Sequence, residues 1–112
     1  MKNPKVLLQH VLSAIANIEQ FTTGATQDEF LSNFMMQHAV IRNIEVIGEA
    51  SKNIGVEIKN TFPAVPWRDI TAMRNKLIHE YFAVDAEAVW FVVKNDLPKL
   101  KQQMVEILNT EL

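Results

Sequence analysis

Apolar residues recur three and four positions apart along most of the chain, the spacing of amphipathic helices. From Pro4, which suits the first turn of a helix, Leu7, Val11, Ala14 (or Ile15) and Ile18 form a stripe at i, i+4, i+7 and i+11. The stretch TTGAT breaks the pattern at Gly24. Thr26 can then cap a short helix through QDEFLSN, whose Asp28 and Glu29 favour the positive end of the helix dipole. A long helix is predicted from about 33 to 53, with Val40, Ile44, Ile47 and Ile54 along one side. Its other side carries His38, Arg42, Glu45, Glu49 and Lys52, and Gly55 stands where a C-cap glycine is expected. Polar stripes of this kind are usually solvated faces with supporting ion pairs.

NTFPAVPW is the main irregular connector, because two prolines three residues apart cannot sit inside a helix. Another helix is predicted from Trp67 or Arg68 to about Tyr81, with Ile70, Met73, Leu77 and Ile78 on its apolar side. Asp85 is placed to cap the last helix, whose first half holds the run VWFVV. Pro98 implies either a kink or a restart with Asp96 as a new cap. The tail continues amphipathically, and neither β-like alternation nor an internal repeat appears. The expected architecture is all-α: an antiparallel bundle of four main helices plus a short one. VWFVV is apolar on every side, which suits either a homodimer interface or the central helix of one bundle.

At 112 residues the chain is read as one domain, 1–112. Apolar residues make up 48% and charged residues 21%, ordinary values that exclude wholesale disorder. The net charge of −2 gives no global basic field, so any nucleic-acid contact must come from a local patch. With no cysteine, disulfides, thiol catalysis and cysteine zinc sites are excluded. The N-terminal stretch has helical spacing rather than an apolar leader, and the longest apolar run, 88–93, is far short of a membrane span. A cytoplasmic location is expected.

Against this background RNKLIHEYF, residues 74–82, concentrates polar chemistry. His79 is the one group there able to exchange a proton near neutral pH. Arg74 stays charged and can hold a phosphate oxygen, stabilising negative charge that builds in a transition state. Asn75 can orient a phosphate or the imidazole, and Tyr81 adds a hydroxyl. Arg68 and Lys76 make residues 68–79 a small basic patch on an acidic protein. The combination suits metal-free phosphodiester chemistry, most simply cleavage of RNA through its own 2′-hydroxyl. At about 100° per residue, however, Arg74 and His79 diverge by roughly 140° on a straight helix. A loosened last turn or a second copy of the chain would be needed to bring them together.

Metal chemistry fits poorly: His10, His38 and His79 fall on three helices, and Glu45 with Glu49 is a carboxylate pair without an aligned histidine. No metal and no cofactor are expected. Serine and cysteine nucleophile motifs are absent, as are Gly-rich phosphate loops.

The motif and its surroundings resemble the HEPN-domain proteins of the HepT-like toxin group, whose signature is R-x-x-x-x-H-x-Y. AVIRNIEVIGEASKNI (39–54), FPAVPWRDITAMRNKLIHEYF (62–82) and VDAEAVW resemble that group in order and spacing, so the likeness covers nearly the whole chain. It implies a homodimer in which two copies of the motif face one cleft, and metal-independent RNA cleavage. It further implies His79 as acid or base, Arg74 as phosphate and transition-state stabiliser, and Asn75 as a positioning group. The implied partner is a minimal nucleotidyltransferase antitoxin encoded nearby, which would silence the toxin by transferring AMP to Tyr81. Arg42, Glu45 and Glu49 become candidates for the same cleft. The alternative expectation is a non-catalytic HEPN subunit that holds a nucleotide or the nucleotidyltransferase; the intact motif favours the enzyme.

Overall fold

The computed structural model describes residues 3–79 and 85–111, with the backbone alone for 76–79 and 111. Among the described residues every regular element is helical: α1 (Pro4–Thr22), α2 (Gln27–Ser32), α3 (Phe34–Lys52), α4 (Val56–Thr61), α5 (Trp67–His79), α6 (Ala86–Phe91) and α7 (Leu97–Glu111). A π-helical turn, Val92–Asp96, joins α6 to α7 without a break.

The starts of these helices follow from their capping residues. Asn3 accepts from the Lys5 amide at 2.8 Å ahead of Pro4. Thr26 and Glu29 form a reciprocal capping box at 3.0 and 3.1 Å, satisfying two amides that the helix itself cannot. Asp85 accepts from the amides of Glu87 and Ala88 at 3.0 and 3.3 Å, the cap expected of it.

Burial follows the apolar stripes. Leu7, Val11, Ala14, Ile15 and Ile18 of α1 are buried together with Val40, Ile44 and Ile47 of α3 and with Leu100, Met104 and Ile107 of α7. The central helix α3 packs against α1 on one side and α5 on the other, while α1 also meets α7. Phe30 of α2 is fully buried and lies against Trp90 of α6, with ring centroids 5.1 Å apart. Of the VWFVV run, Val89, Trp90, Val92 and Val93 are buried in this chain and Phe91 is 60% exposed. Most of that run is therefore core.

Three local expectations are corrected. Gly55 is not a left-handed C-cap: its φ is −64° and it opens α4. Helix α3 ends instead on a tightened turn, in which right-handed Asn53 donates to Ala50 and Ser51 and no positive φ is required. Helix α4 occupies Val56–Thr61 and runs into the first two residues of the NTFPAVPW connector, so the described chain holds two short helices between long ones, where one was expected. At Pro98 the helix does not restart with Asp96 as a new cap; it runs on through the π-turn. The π-turn widens the backbone just where the proline ring would press on the carbonyl of Lys94, and the Leu97 amide reaches back to Val92. Among the described residues no helix is long and apolar enough to cross a membrane.

Candidate functional site

The polar stripe of α3 is the floor of a cleft of about 320 Å³. Arg42, Glu45, Val46, Glu49 and Ala50 form that floor, with Asn53 at its end. Leu7 and His10 of α1 wall one side and Arg74 of α5 walls the other. Three groups that carry or can carry positive charge thus share one concavity with two carboxylates.

Arg74 sits deep against α3 because position 48 has no side chain. A Cβ on Gly48 would overlap the Cβ and Cγ of Arg74 and come within 3.4 Å of the Ile70 carbonyl oxygen. The guanidinium is held on both terminal nitrogens. Nη2 lies 2.8 Å from Glu49 Oε2, and Nη1 donates to Asn75 Oδ1 at 3.0 Å. Nε is buried without a hydrogen-bond partner among the described residues. Glu49 is backed by Asn53, whose Nδ2 donates to the Glu49 carbonyl at 2.9 Å and approaches its Oε1 at 3.4 Å. Arg42 differs: its side chain is 73% exposed and pairs with Glu45 at 3.5 Å along the same helix.

Of the residues singled out from sequence, the structure gathers Arg74, Arg42, Glu45 and Glu49 around one cleft, with Asn75 bonded to Arg74. Arg68 is exposed in the first turn of α5 and does not line the cleft. Lys76 and His79 occupy backbone positions in the last turn of α5, and Tyr81 lies outside the described residues. His10, Gly48 and Asn53 were not singled out. His10 reaches the cleft from α1, which only the α1–α3 packing reveals. Gly48 did carry a signal, since an isolated glycine inside a long helical pattern costs stability unless close packing needs it.

A second cavity of about 310 Å³ is walled mainly by apolar residues, among them Ile44, Ile47, Ile70, Met73 and Leu100, and contains no described residue of the 74–82 motif. Among the described residues no group of three or more His, Asp or Glu side chains is arranged to hold a metal ion.

An all-α bundle with an arginine-centred polar cleft over its middle helix is the class that fold and site define. The family model described as "Ribonuclease HepT-like" matches residues 11–107, and the chain belongs to that HepT-like ribonuclease family. A Thermococcus cleftensis protein named "Probable ribonuclease HepT" is 46% identical over 100 residues, 89% of this chain and 91% of that one. A Methanocaldococcus jannaschii protein named "Putative RNase MJ1380" is 40% identical over 107 residues, 96% and 97% of the two chains. A longer protein of the same organism, named "Gamma-glutamylcyclotransferase and putative RNase MJ0434", is 43% identical over 107 residues. That match takes in 96% of this chain but 48% of the longer protein, so the chain spans about half of that relative. No solved structure matches the chain.

Proposed function

We propose that this chain is a metal-independent endoribonuclease, the toxin of a cytoplasmic toxin–antitoxin pair, working as a homodimer of single HEPN-like domains. The observation that carries the reading is membership of the HepT-like ribonuclease family over residues 11–107, a span that contains the complete motif from Arg74 to Tyr81. Arg74 on the wall of a polar cleft gives it physical support.

In the proposed reaction a base removes the proton of an RNA 2′-hydroxyl, and the 2′-oxygen attacks the adjacent phosphorus. The bond to the 5′-oxygen breaks, and an acid returns a proton to that leaving oxygen. The products are a 2′,3′-cyclic phosphate and a free 5′-hydroxyl. One imidazole cannot easily serve both ends of such a displacement at once. Two copies of the motif would supply two His79 side chains, one as base and one as acid, which also removes the divergence of Arg74 and His79 on a single helix. Arg74 would stabilise the charge building on the phosphoryl oxygens, with Asn75 keeping the fork in plane. AMP transferred to Tyr81 by a nucleotidyltransferase partner would add bulk and negative charge close to the site and compete with RNA phosphate there.

The second reading, a binding subunit for a nucleotide or for the nucleotidyltransferase, draws on the Glu49 ion pair, which already offsets the charge of Arg74. Expression of wild type and His79→Ala without the antitoxin separates the two. Growth arrest with RNA loss in wild type alone is the outcome expected of a nuclease. Equal behaviour of the two variants would count against it. Co-expression with the partner should raise the intact mass of wild type by whole AMP units and leave Tyr81→Phe unchanged.

A further inference from the structure

A phosphate-holding arginine works only if its fork is kept in one plane and one place, because a free arginine side chain samples many rotamers. On this chain α3 supplies that constraint from two adjacent residues. Gly48 leaves room for the Arg74 stem to lie flat on the helix, and Glu49 meets the far end of the same side chain with an oxygen 2.8 Å from Nη2. We infer that Glu49 is a positioning residue for Arg74, holding the guanidinium so that its unused N–H groups point into the cleft. The inference rests on the proposed role of Arg74 and adds to it a residue that acts only through that arginine.

The stem of Arg74 is seated on Gly48, so its remaining freedom lies in the outer torsions, where Glu49 takes hold. The restraint is double, since Asn75 binds Nη1 at 3.0 Å while Glu49 binds Nη2. Each terminal nitrogen carries two hydrogens, so one N–H on each stays available to an incoming phosphate oxygen. Glu49 is itself steadied by Asn53, four residues on at the C-terminal cap of α3. Arg42 provides an internal contrast. It faces the same cleft, but it is 73% exposed where Arg74 is 24% exposed, and its carboxylate partner is 3.5 Å away on its own helix. A surface arginine here is not held in this manner.

A carboxylate on a phosphate-binding arginine could instead act as a competitor that RNA must displace. The two roles predict opposite effects. If Glu49 positions, Glu49→Ala lowers kcat by about 10- to 100-fold, as loss of alignment does, while KM moves much less. Glu49→Gln keeps an oxygen acceptor and recovers most of the rate. If Glu49 competes, both variants cleave RNA faster or with lower KM than wild type.

The decisive experiment pairs steady-state cleavage of a short labelled RNA with NMR of the arginine side chains in the full-length protein. In wild type the buried Nε–H of Arg74 should be ordered and slow to exchange with solvent. In Glu49→Ala, with the melting temperature preserved, that signal should exchange faster and report a mobile side chain, and Glu49→Gln should restore it. An equally protected Arg74 signal in Glu49→Ala overturns the positioning role whether or not the protein is a ribonuclease. A mobile Arg74 with unchanged kcat shows that the restraint does not serve the reaction and overturns it too. Absence of RNA cleavage by wild type refutes the proposed function, and the NMR arm still decides whether Glu49 holds Arg74.

Discussion

Arg74 reaches its place because α3 has a hydrogen instead of a side chain at position 48, and this makes Gly48 as consequential as the motif itself. On helix propensity alone Gly48→Ala would gain about 1 kcal/mol. The contact with Arg74 should reverse the sign: we expect a loss of about 1–3 kcal/mol from overpacking, seen as a lower melting temperature together with slower RNA cleavage. A higher melting temperature than wild type would mean that α5 simply moves away. Arg74→Lys keeps the charge but loses the planar fork that meets Glu49 and Asn75 separately. It should lower kcat by about 10²–10³-fold, the usual cost of removing a transition-state donor, with little change in folding. The 74–82 motif was legible in the sequence because its members are neighbours along the chain. His10 was not, since its place in the cleft is set by the packing of α1 on α3. Glu49 read equally well as solvated surface until the Arg74 pairing at 2.8 Å distinguished it.

Among the elements, a helix was readable where apolar residues recur at helical spacing or where a cap marks its start. Helices α1, α3 and α5 each present a clear apolar side to the sequence and start close to where it predicts. Helix α4 is six residues long, too short for an apolar repeat to show in the sequence. The π-turn at Val92–Asp96 escaped because a run apolar on every side has no readable period. Helix α2 was legible through Thr26 as a cap and the carboxylates of its first turn, and its one buried side chain, Phe30, ties it to Trp90 of α6. Phe30→Ala should cost about 3–5 kcal/mol, as for other buried aromatics, measured by denaturant unfolding. Thr26→Ala removes only the cap and should cost about 1 kcal/mol. Similar costs for the two would mean that Phe30 adds little beyond the short helix it belongs to.

For the whole molecule, the all-helical class followed from periodicity and the family from motifs spread over the chain, whereas assembly depends on a second copy. The proposed dimer gives a direct expectation: at micromolar concentration the 12.8 kDa chain should sediment at twice its mass. A single monomeric species would remove the two-histidine mechanism, though not the family. The net charge of −2 makes tight non-specific RNA binding unfavourable, so binding strength should rest on the few cations of the cleft. Cleavage should accordingly weaken as salt rises, but with a shallow slope. The central claim is that this protein cuts RNA by transesterification without a metal, using His79. The most direct measurement is incubation of the purified protein with end-labelled RNA in excess EDTA, followed by analysis of the new ends. The account predicts 2′,3′-cyclic phosphate ends with wild type and none with His79→Ala. Cleavage that appears only after a divalent metal is added, or that His79→Ala performs equally well, would contradict it.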